Sequence, residues 1–129
     1  MAASLDLRVV TPERPVFEGT AEFVVVPAHD GEVGILPRHA RFLATLGVGE
    51  LRARTAAGPV RYFVEGGFVQ VADDRVTVLC DRATPVAELD AAAAEARVQA
   101  ATTPAERTRA QARAAAVKRV LQQKTPGTH

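Results

Sequence analysis

The residue pattern changes abruptly near Thr84, and no other feature constrains the fold as strongly. Through residue 83, apolar residues recur with a period close to two, and glycine, proline or aspartate interrupt them at short intervals. This pattern predicts many short strands in an antiparallel sandwich or barrel, with a hairpin turn at Asp73-Asp74. After residue 83, alanine dominates and apolar residues recur every three or four positions, as they do in helices.

Two helices are predicted after this change. Thr84 is expected to cap the first, with Pro85 at its first helical position. Thr103 is expected to cap the second, and Glu106 has the spacing of a capping box. The apolar positions are mostly alanine and bury little area, so we expect the helices to dock weakly. These positions are Val86, Leu89, Ala93, Ala96 and Ala100 in the first helix and Ala110, Ala114, Val117 and Leu121 in the second.

The predicted fold class is α+β, with an N-terminal antiparallel β-sandwich over residues 1–83 and a C-terminal α-helical hairpin over residues 84–129. The 129-residue chain has a net charge of +1. Residues 103–129, however, contain six Lys and Arg residues and one Glu, a charge of +5. A continuous helix over residues 84–124 would reach about 60 Å. The hairpin is therefore expected to act as a mobile basic arm, either folded or extended.

Several classes of function are excluded by what the sequence lacks. A single cysteine, Cys80, provides no internal disulfide, and no apolar run approaches the roughly 20 residues of a membrane span. The N-terminus has no charged segment followed by an apolar one, so no secretory leader is expected. The basic segment has no aromatic residues between its arginines, so nucleic acid is not an expected partner. Neither a GxxxxGK phosphate loop nor a GxSxG elbow occurs, and we expect a protein that is not an enzyme.

The stretch Asp30–Ala40 has a strongly constrained backbone. Two glycines and a proline within eight residues enclose an apolar pair between polar turns. From the residues alone, this stretch could be a docking surface, or His29, Asp30 and His39 could form a metal or acid–base cluster. Turn residues in a loop are the simpler interpretation, and no metal is expected.

Several motifs follow one another in a fixed order along the chain. They are Val9-Val10-Thr11-Pro12-Glu13, Gly31-Glu32-Val33-Gly34-Ile35-Leu36-Pro37-Arg38-His39-Ala40, Glu65-Gly66-Gly67-Phe68-Val69-Gln70-Val71, Val76-Thr77-Val78-Leu79 and Leu89-Asp90. Together with the layout of strands followed by a helical hairpin, this order resembles the epsilon subunit of bacterial F-type ATP synthases, called delta in mitochondria. The resemblance covers nearly the whole chain.

The resemblance implies a non-catalytic rotor subunit of the central stalk, which couples proton flow to ATP synthesis. Its partners would be the gamma subunit, the c-ring and the beta and alpha catalytic subunits. It would lie at the cytoplasmic face of a bacterial plasma membrane, attached only through the complex. The residues implied at the interface with gamma and the c-ring are Asp30, Glu32, Arg38, His39, Arg41 and Phe42.

The resemblance also implies a regulatory hairpin, which can extend into the catalytic head and restrain ATP hydrolysis. The basic residues expected to face an acidic loop there are Arg107, Arg109, Arg113, Lys118 and Arg119. Some family members bind ATP on the folded hairpin through a hydrophobic-Asp-x-x-Arg-Ala pattern. Here Asp90 is a remnant of that site, but Ala93 occupies the arginine position, so weak or absent ATP binding is expected and no cofactor is assigned.

Arg38 and Arg41 depart from the family pattern, which commonly has Pro-Gly-His-Ala-Pro at residues 37–41. Two added arginines are expected to change the charge of this interface. An alternative interpretation is a free β-sandwich adaptor whose basic hairpin docks on an acidic protein. A third is a small hydrolase using His29, Asp30 and His39, but it lacks an activated nucleophile.

Overall fold

Nine strands precede two helices in the computed structural model, which describes residues 4–29 and 31–122. The α+β class is thus confirmed. The strands are β1 Leu5–Val10, β2 Pro15–Ala28, β3 Gly31–Ile35, β4 Phe42–Thr45, β5 Val48–Thr55, β6 Gly58–Glu65, β7 Phe68–Ala72, β8 Arg75–Leu79 and β9 Arg82–Pro85. A 3₁₀ turn over Val86–Glu88 leads to α1, Ala91–Ala100, and α2, Pro104–Leu121.

The strands form one sheet in the order β4-β7-β8-β1-β2-β5-β6-β9, and β3 pairs with β2. Among the described strands, β1 and β8 pair in parallel and the other named pairs are antiparallel. Strands near both ends of this order contribute to one buried cluster, so the sheet folds over on itself as two layers. That cluster includes Leu5, Leu7, Val24, Leu51, Val64, Val69 and Val78.

The predicted hairpin turn at Asp73-Asp74 is confirmed. Both residues have positive φ, 52° and 61°, between β7 and β8. Positive φ at both central residues is the geometry of a type I′ turn, whose twist matches that of the flanking strands. Aspartate tolerates this conformation better than most residues because its short side chain can hydrogen-bond locally.

The predicted start of the first helix is wrong. Thr84 and Pro85 lie in β9, where Thr84 pairs with Phe63 of β6. Pairing with β6 keeps the backbone extended through Pro85. Asp90 caps α1 instead, and its side chain accepts hydrogen bonds from the backbone N–H groups of the second and third helical residues at 2.9 and 3.2 Å. The division into domains at residues 83 and 84 stays a prediction.

The shifted start also changes which side of α1 is buried. Ala94 and Val98 are buried, whereas the predicted Ala93, Ala96 and Ala100 are exposed. Val86 is buried and Leu89 packs against the same cluster as predicted, so the predicted stripe is wrong only within the helix itself. No helix among the described residues is long and apolar enough to cross a membrane.

The predicted cap of the second helix is confirmed. The hydroxyl of Thr103 accepts a hydrogen bond from the backbone N–H of Glu106 at 3.1 Å. The Glu106 carboxylate accepts in return from the N–H and hydroxyl of Thr102, one residue before the expected partner. These hydrogen bonds lower the pKa of Glu106, the backbone N–H of Thr102 having the largest effect.

The two helices pack against the outer face of β5 and β6, here called the hairpin face. Phe63 is fully buried there, together with Val86 of the 3₁₀ turn. The helices contribute Ala94, Val98, Ala114, Ala116, Val117 and Val120 to this second buried cluster. In α2, Ala114 and Val117 are buried as predicted, but Leu121 is exposed. The buried ring of Phe63 thus makes the packing of the alanine-rich hairpin against the sheet stronger than its own residues predict.

Candidate docking surfaces

The outer face of β4, β7 and β8, here called the open face, carries exposed apolar side chains. Phe68 and Leu79 are cross-strand partners and are 53% and 48% exposed. Leu43 of the adjoining strand is 69% exposed. Their chain neighbours Val69 and Val78 point into the sandwich core and are fully buried. At this end of the sheet the strands are therefore apolar on both faces, and an exposed apolar patch of this kind indicates a surface that a partner covers.

This patch is not among the site residues predicted from the sequence. A readable signal existed, because Phe68-Val69 and Val78-Leu79 interrupt the alternation of apolar and polar residues that a half-solvated sheet shows. Two successive apolar residues in a strand point to opposite faces, so both faces are apolar at those positions.

The loop from Leu36 to Arg41 is attached to the β7–β8 turn. The backbone N–H of Arg38 donates a 2.6 Å hydrogen bond to the carboxylate of Asp74. Arg41 forms an exposed ion pair with Asp73 at 3.6 Å. The two arginines that depart from the family pattern thus lie beside two aspartates of the same chain, which offset part of their charge. Leu36 is 62% exposed at the start of this loop.

His39 and Phe42 are in contact at the end of the loop. Their ring centroids are 5.8 Å apart in an edge-to-face arrangement of 74°. The His39 Nδ1 lies 2.7 Å from the carbonyl oxygen of Ala40, as expected if Nδ1–H donates. Phe42 packs against the sandwich core. This edge-to-face contact joins His39 of the loop to a ring that packs against the core.

Glu32 belongs to a different neighbourhood. On β3, its carboxylate accepts two hydrogen bonds from Arg52 of β5, at 2.7 and 3.3 Å. The hydrogen bond to Glu32 raises the pKa of Arg52. Glu32 is still about half exposed, and it lies directly after the turn between β2 and β3. Asp30, predicted for the same interface, lies outside the described residues.

The basic residues predicted to act together have different partners in the folded hairpin. Arg113 pairs with Glu65 of β6 at 2.9 Å, and its guanidinium lies 5.5 Å from the ring centroid of Phe63. Lys118 lies 3.8 Å from Glu95 of α1. Arg107 donates to a carbonyl oxygen in the loop before α2 at 3.4 Å.

A groove of about 760 Å³ between the hairpin and the sheet contains the other basic side chains. Arg109, Arg113 and Arg119 line it, together with Arg97 of α1, which the sequence analysis did not select. In the folded hairpin, therefore, one predicted residue is engaged with the sheet and two make contacts within the helical segment. The regulatory role of these basic residues stays a prediction.

Asp90 contributes its carboxylate to the cap of α1, and Ala93 is exposed on the first turn of that helix. A carboxylate that accepts two backbone hydrogen bonds already has a structural role. The absence of ATP binding stays a prediction.

Comparison with known proteins identifies relatives of this chain. A sequence profile described as "ATP synthase, Delta/Epsilon chain, beta-sandwich domain" matches residues 4–86. A protein of Rhodopirellula baltica named "ATP synthase epsilon chain" is 52% identical over 82 residues, which are 64% of each chain. The chain thus spans a little less than two thirds of that relative. One of the same name from Acidithiobacillus ferridurans is 46% identical over 101 residues, 78% of this chain and 72% of its own.

Solved structures share the fold. A chain of the Euglena gracilis mitochondrial ATP synthase, in a structure of "OSCP/F1/c-ring in rotational state 1", superposes with a TM-score of 0.72 at 22% identity. That likeness covers 93% of this chain and 80% of the other. A chain from the Tetrahymena thermophila mitochondrial "ATP synthase - central stalk/cring" has a TM-score of 0.60 at 18% identity, covering 91% and 92%.

Proposed function

The chain belongs to the delta/epsilon family of ATP synthase chains, and on this premise we propose that it is the non-catalytic central-stalk subunit of a proton-transporting F-type ATP synthase. In this role it transmits rotation between the ion-conducting ring and the catalytic head. The relatives are named as epsilon chains of that enzyme, and the fold recurs in structures that contain F1 and a c-ring.

The open face is the observation that carries this proposal. Phe68 and Leu79 are exposed on the open face. The hairpin covers the outer face of β5 and β6 instead, so a separate partner must cover these two side chains. We assign the open face and the ordered loop around His39 to the gamma subunit. Glu32, beside the β2–β3 turn, is assigned to the polar loops of the c-ring.

The helical hairpin is proposed to regulate ATP hydrolysis. While it is folded, Arg113 is paired with Glu65 and cannot meet another partner. Release from the sheet would free this guanidinium to join Arg97, Arg109 and Arg119, which are already exposed in the folded hairpin, against an acidic surface on the catalytic beta and alpha subunits. The complex as a whole would place the chain peripherally, at the cytoplasmic face of the plasma membrane.

The folded hairpin is proposed not to use ATP as a cofactor. The motivation is Ala93 at the position where an arginine would hold a phosphate, and Asp90 engaged as a helix cap. Calorimetry of the isolated chain with ATP should show no binding heat at micromolar concentrations, and a micromolar affinity would contradict this assignment.

Co-purification tests the proposed function. A tagged chain expressed in its native organism should bring down gamma and the catalytic subunits in constant proportion. Capture of other acidic proteins without gamma would instead support the adaptor interpretation. Deletion of residues 104–122 should leave the capture of gamma intact and raise ATP hydrolysis by the assembled enzyme, if the hairpin restrains it.

A further inference from the structure

Glu50 is a buried carboxylate in the middle of the hairpin face. Its side chain is 2% exposed, and one of its oxygens, Oε1, accepts no hydrogen bond from the described residues. The other oxygen, Oε2, pairs with the guanidinium of Arg61 on the neighbouring strand. A buried carboxylate requires compensation by an opposite charge and by hydrogen bonds, so Glu50 is held mainly by Arg61.

Arg61 connects this carboxylate to the hairpin. Its Nη2 donates a 2.9 Å hydrogen bond to the carbonyl oxygen of Val120, in the last turn of α2. Carbonyl groups at the end of a helix lack intrahelical partners, and the negative end of the helix dipole favours a cation there. Because Glu50 holds the guanidinium from the other side, the Glu50–Arg61 pair positions the donor that contacts the last turn of α2.

Arg52 connects the same carboxylate to the Glu32 turn. Its Nη1 is 2.7 Å from Glu32 Oε2 and 3.6 Å from the unsatisfied Oε1 of Glu50. Arg52 and Arg61 are cross-strand partners on β5 and β6, so they share the face that the hairpin covers. The four side chains therefore alternate in charge from Glu32 to the end of α2.

We propose that this row of Glu32, Arg52, Glu50 and Arg61 couples the Glu32 turn to the hairpin, so that a cationic partner at Glu32 favours release of α2. A partner that draws Glu32 away frees Arg52 to close on Glu50 Oε1. Glu50 then divides its charge between two guanidinium groups, and Arg61, 14% exposed beneath the hairpin, loses part of its counter-charge. Release of α2 gives Arg61 access to water, so the charge imbalance favours the undocked hairpin.

This coupling rests on the proposed function only in naming the ring as the partner of Glu32. By linkage it acts in both directions, so a docked hairpin opposes engagement of Glu32 as much as engagement opposes docking. The row itself is tested on the isolated full-length chain. Failure of that test leaves the capture of gamma unaffected, and failure to capture gamma leaves this test unaffected.

The test measures how often α2 leaves the sheet. Val117 is fully buried on the side of α2 that faces the sheet, so a thiol introduced there by Val117→Cys reacts with a maleimide only when the hairpin undocks. Cys80, buried in the sandwich core, reports global opening in the same sample. In this background, Glu32→Gln should raise the labelling rate at position 117 about 5-fold, the low end of typical coupling between sites. Labelling of Cys80 should not change.

Glu18→Gln is the matched control. Glu18 also forms an exposed ion pair between neighbouring strands, with Arg8 at 3.1 Å, but outside the row. The Glu18→Gln substitution removes the same charge as Glu32→Gln and should leave labelling at position 117 unchanged. An equal rate in Glu32→Gln and Glu18→Gln, or slower labelling in Glu32→Gln, would overturn the proposal.

A double-mutant cycle tests whether the coupling runs through Arg61. Arg61→Gln should itself raise labelling at position 117, because α2 loses its donor. In that background, Glu32→Gln should add less than about 2-fold, since coupled residues give non-additive effects. If Glu32→Gln still raised the labelling rate 5-fold in the Arg61→Gln background, the coupling would not run through Arg61 and the proposed row would be refuted.

Discussion

Replacement of Phe63 by alanine should release the hairpin while the sandwich stays folded. Phe63 is fully buried, and its neighbours belong to the hairpin cluster and not to the sandwich core. Truncation of a buried phenylalanine to alanine costs about 3–5 kcal/mol. Loss of the contact with the Arg113 guanidinium, 5.5 Å from the ring centroid, adds about 0.5–1 kcal/mol. Because the lost contacts lie between sheet and hairpin, this cost should fall on docking.

The expected effect is large enough to measure as a change in hydrogen exchange. Since every 1.4 kcal/mol is a factor of ten, the population of undocked hairpin should rise about 100-fold or more. Amide exchange in α2 should accelerate accordingly, while the amides of β1 and β2 keep their protection. Sub-global opening of this kind leaves the remaining amides protected, because they exchange only by larger openings.

Val64→Ala is the control for this prediction. Val64 is the next residue on β6, is equally buried and points into the sandwich core. Its truncation should lower the free energy of unfolding of the sandwich and accelerate exchange in β1 and β2. If Phe63→Ala also accelerates exchange in the sandwich as much as in α2, the hairpin is not a separate unit and the reasoning is refuted.

Three further predictions concern single positions in the sandwich. Gly67→Ala should lower the unfolding free energy in urea by about 2 kcal/mol or more, because φ is 103° and a Cβ would lie 1.8 Å from the carbonyl oxygen of Leu79; an unchanged midpoint would contradict this. Arg38→Gly should raise the melting temperature, since φ is 68° and relief of a left-handed residue gains up to about 1 kcal/mol; a lower melting temperature would show that the Arg38 side chain contributes more. Burial raises the pKa of the Cys80 thiol from 9.0 to about 11. The free energy of unfolding should therefore fall as pH rises between these values, because only the unfolded thiol ionises there. Cys80→Ala should reduce this slope in urea titrations, and an unaltered slope would refute the assignment to Cys80.

The sequence predicted those parts of the fold that depend on local chemistry. The alternation of apolar residues is visible in β1, and the Asp73-Asp74 turn follows from the tolerance of aspartate for positive φ. Thr103 caps α2 as expected because its partner, Glu106, is three residues away. In each case, the residues that determine the structure are neighbours in the chain.

Features that depend on contacts distant in sequence were not predictable in the same way. Thr84 has the local chemistry of a cap, but pairing with a strand some twenty residues earlier holds it extended. Arg113 contacts Glu65, which is 48 positions away in the chain. The sequence predicts Arg113 as a free basic side chain of the arm, but this contact engages it. The apolar open face was visible in the sequence as paired apolar residues, but only the register brings Phe68 beside Leu79.

The affinity of the isolated chain for gamma tests the central proposal most directly. Phe68→Ser removes one large apolar side chain from the open face, whereas Leu121→Ser removes a similarly exposed one from the hairpin. Full burial of such a side chain contributes about 1.5–3 kcal/mol, and the half of Phe68 that is exposed therefore about 1 kcal/mol. Calorimetry should show about 5-fold weaker binding of gamma by Phe68→Ser and unchanged binding by Leu121→Ser. Equal affinities for gamma in the two variants would contradict the assignment of the open face to this partner.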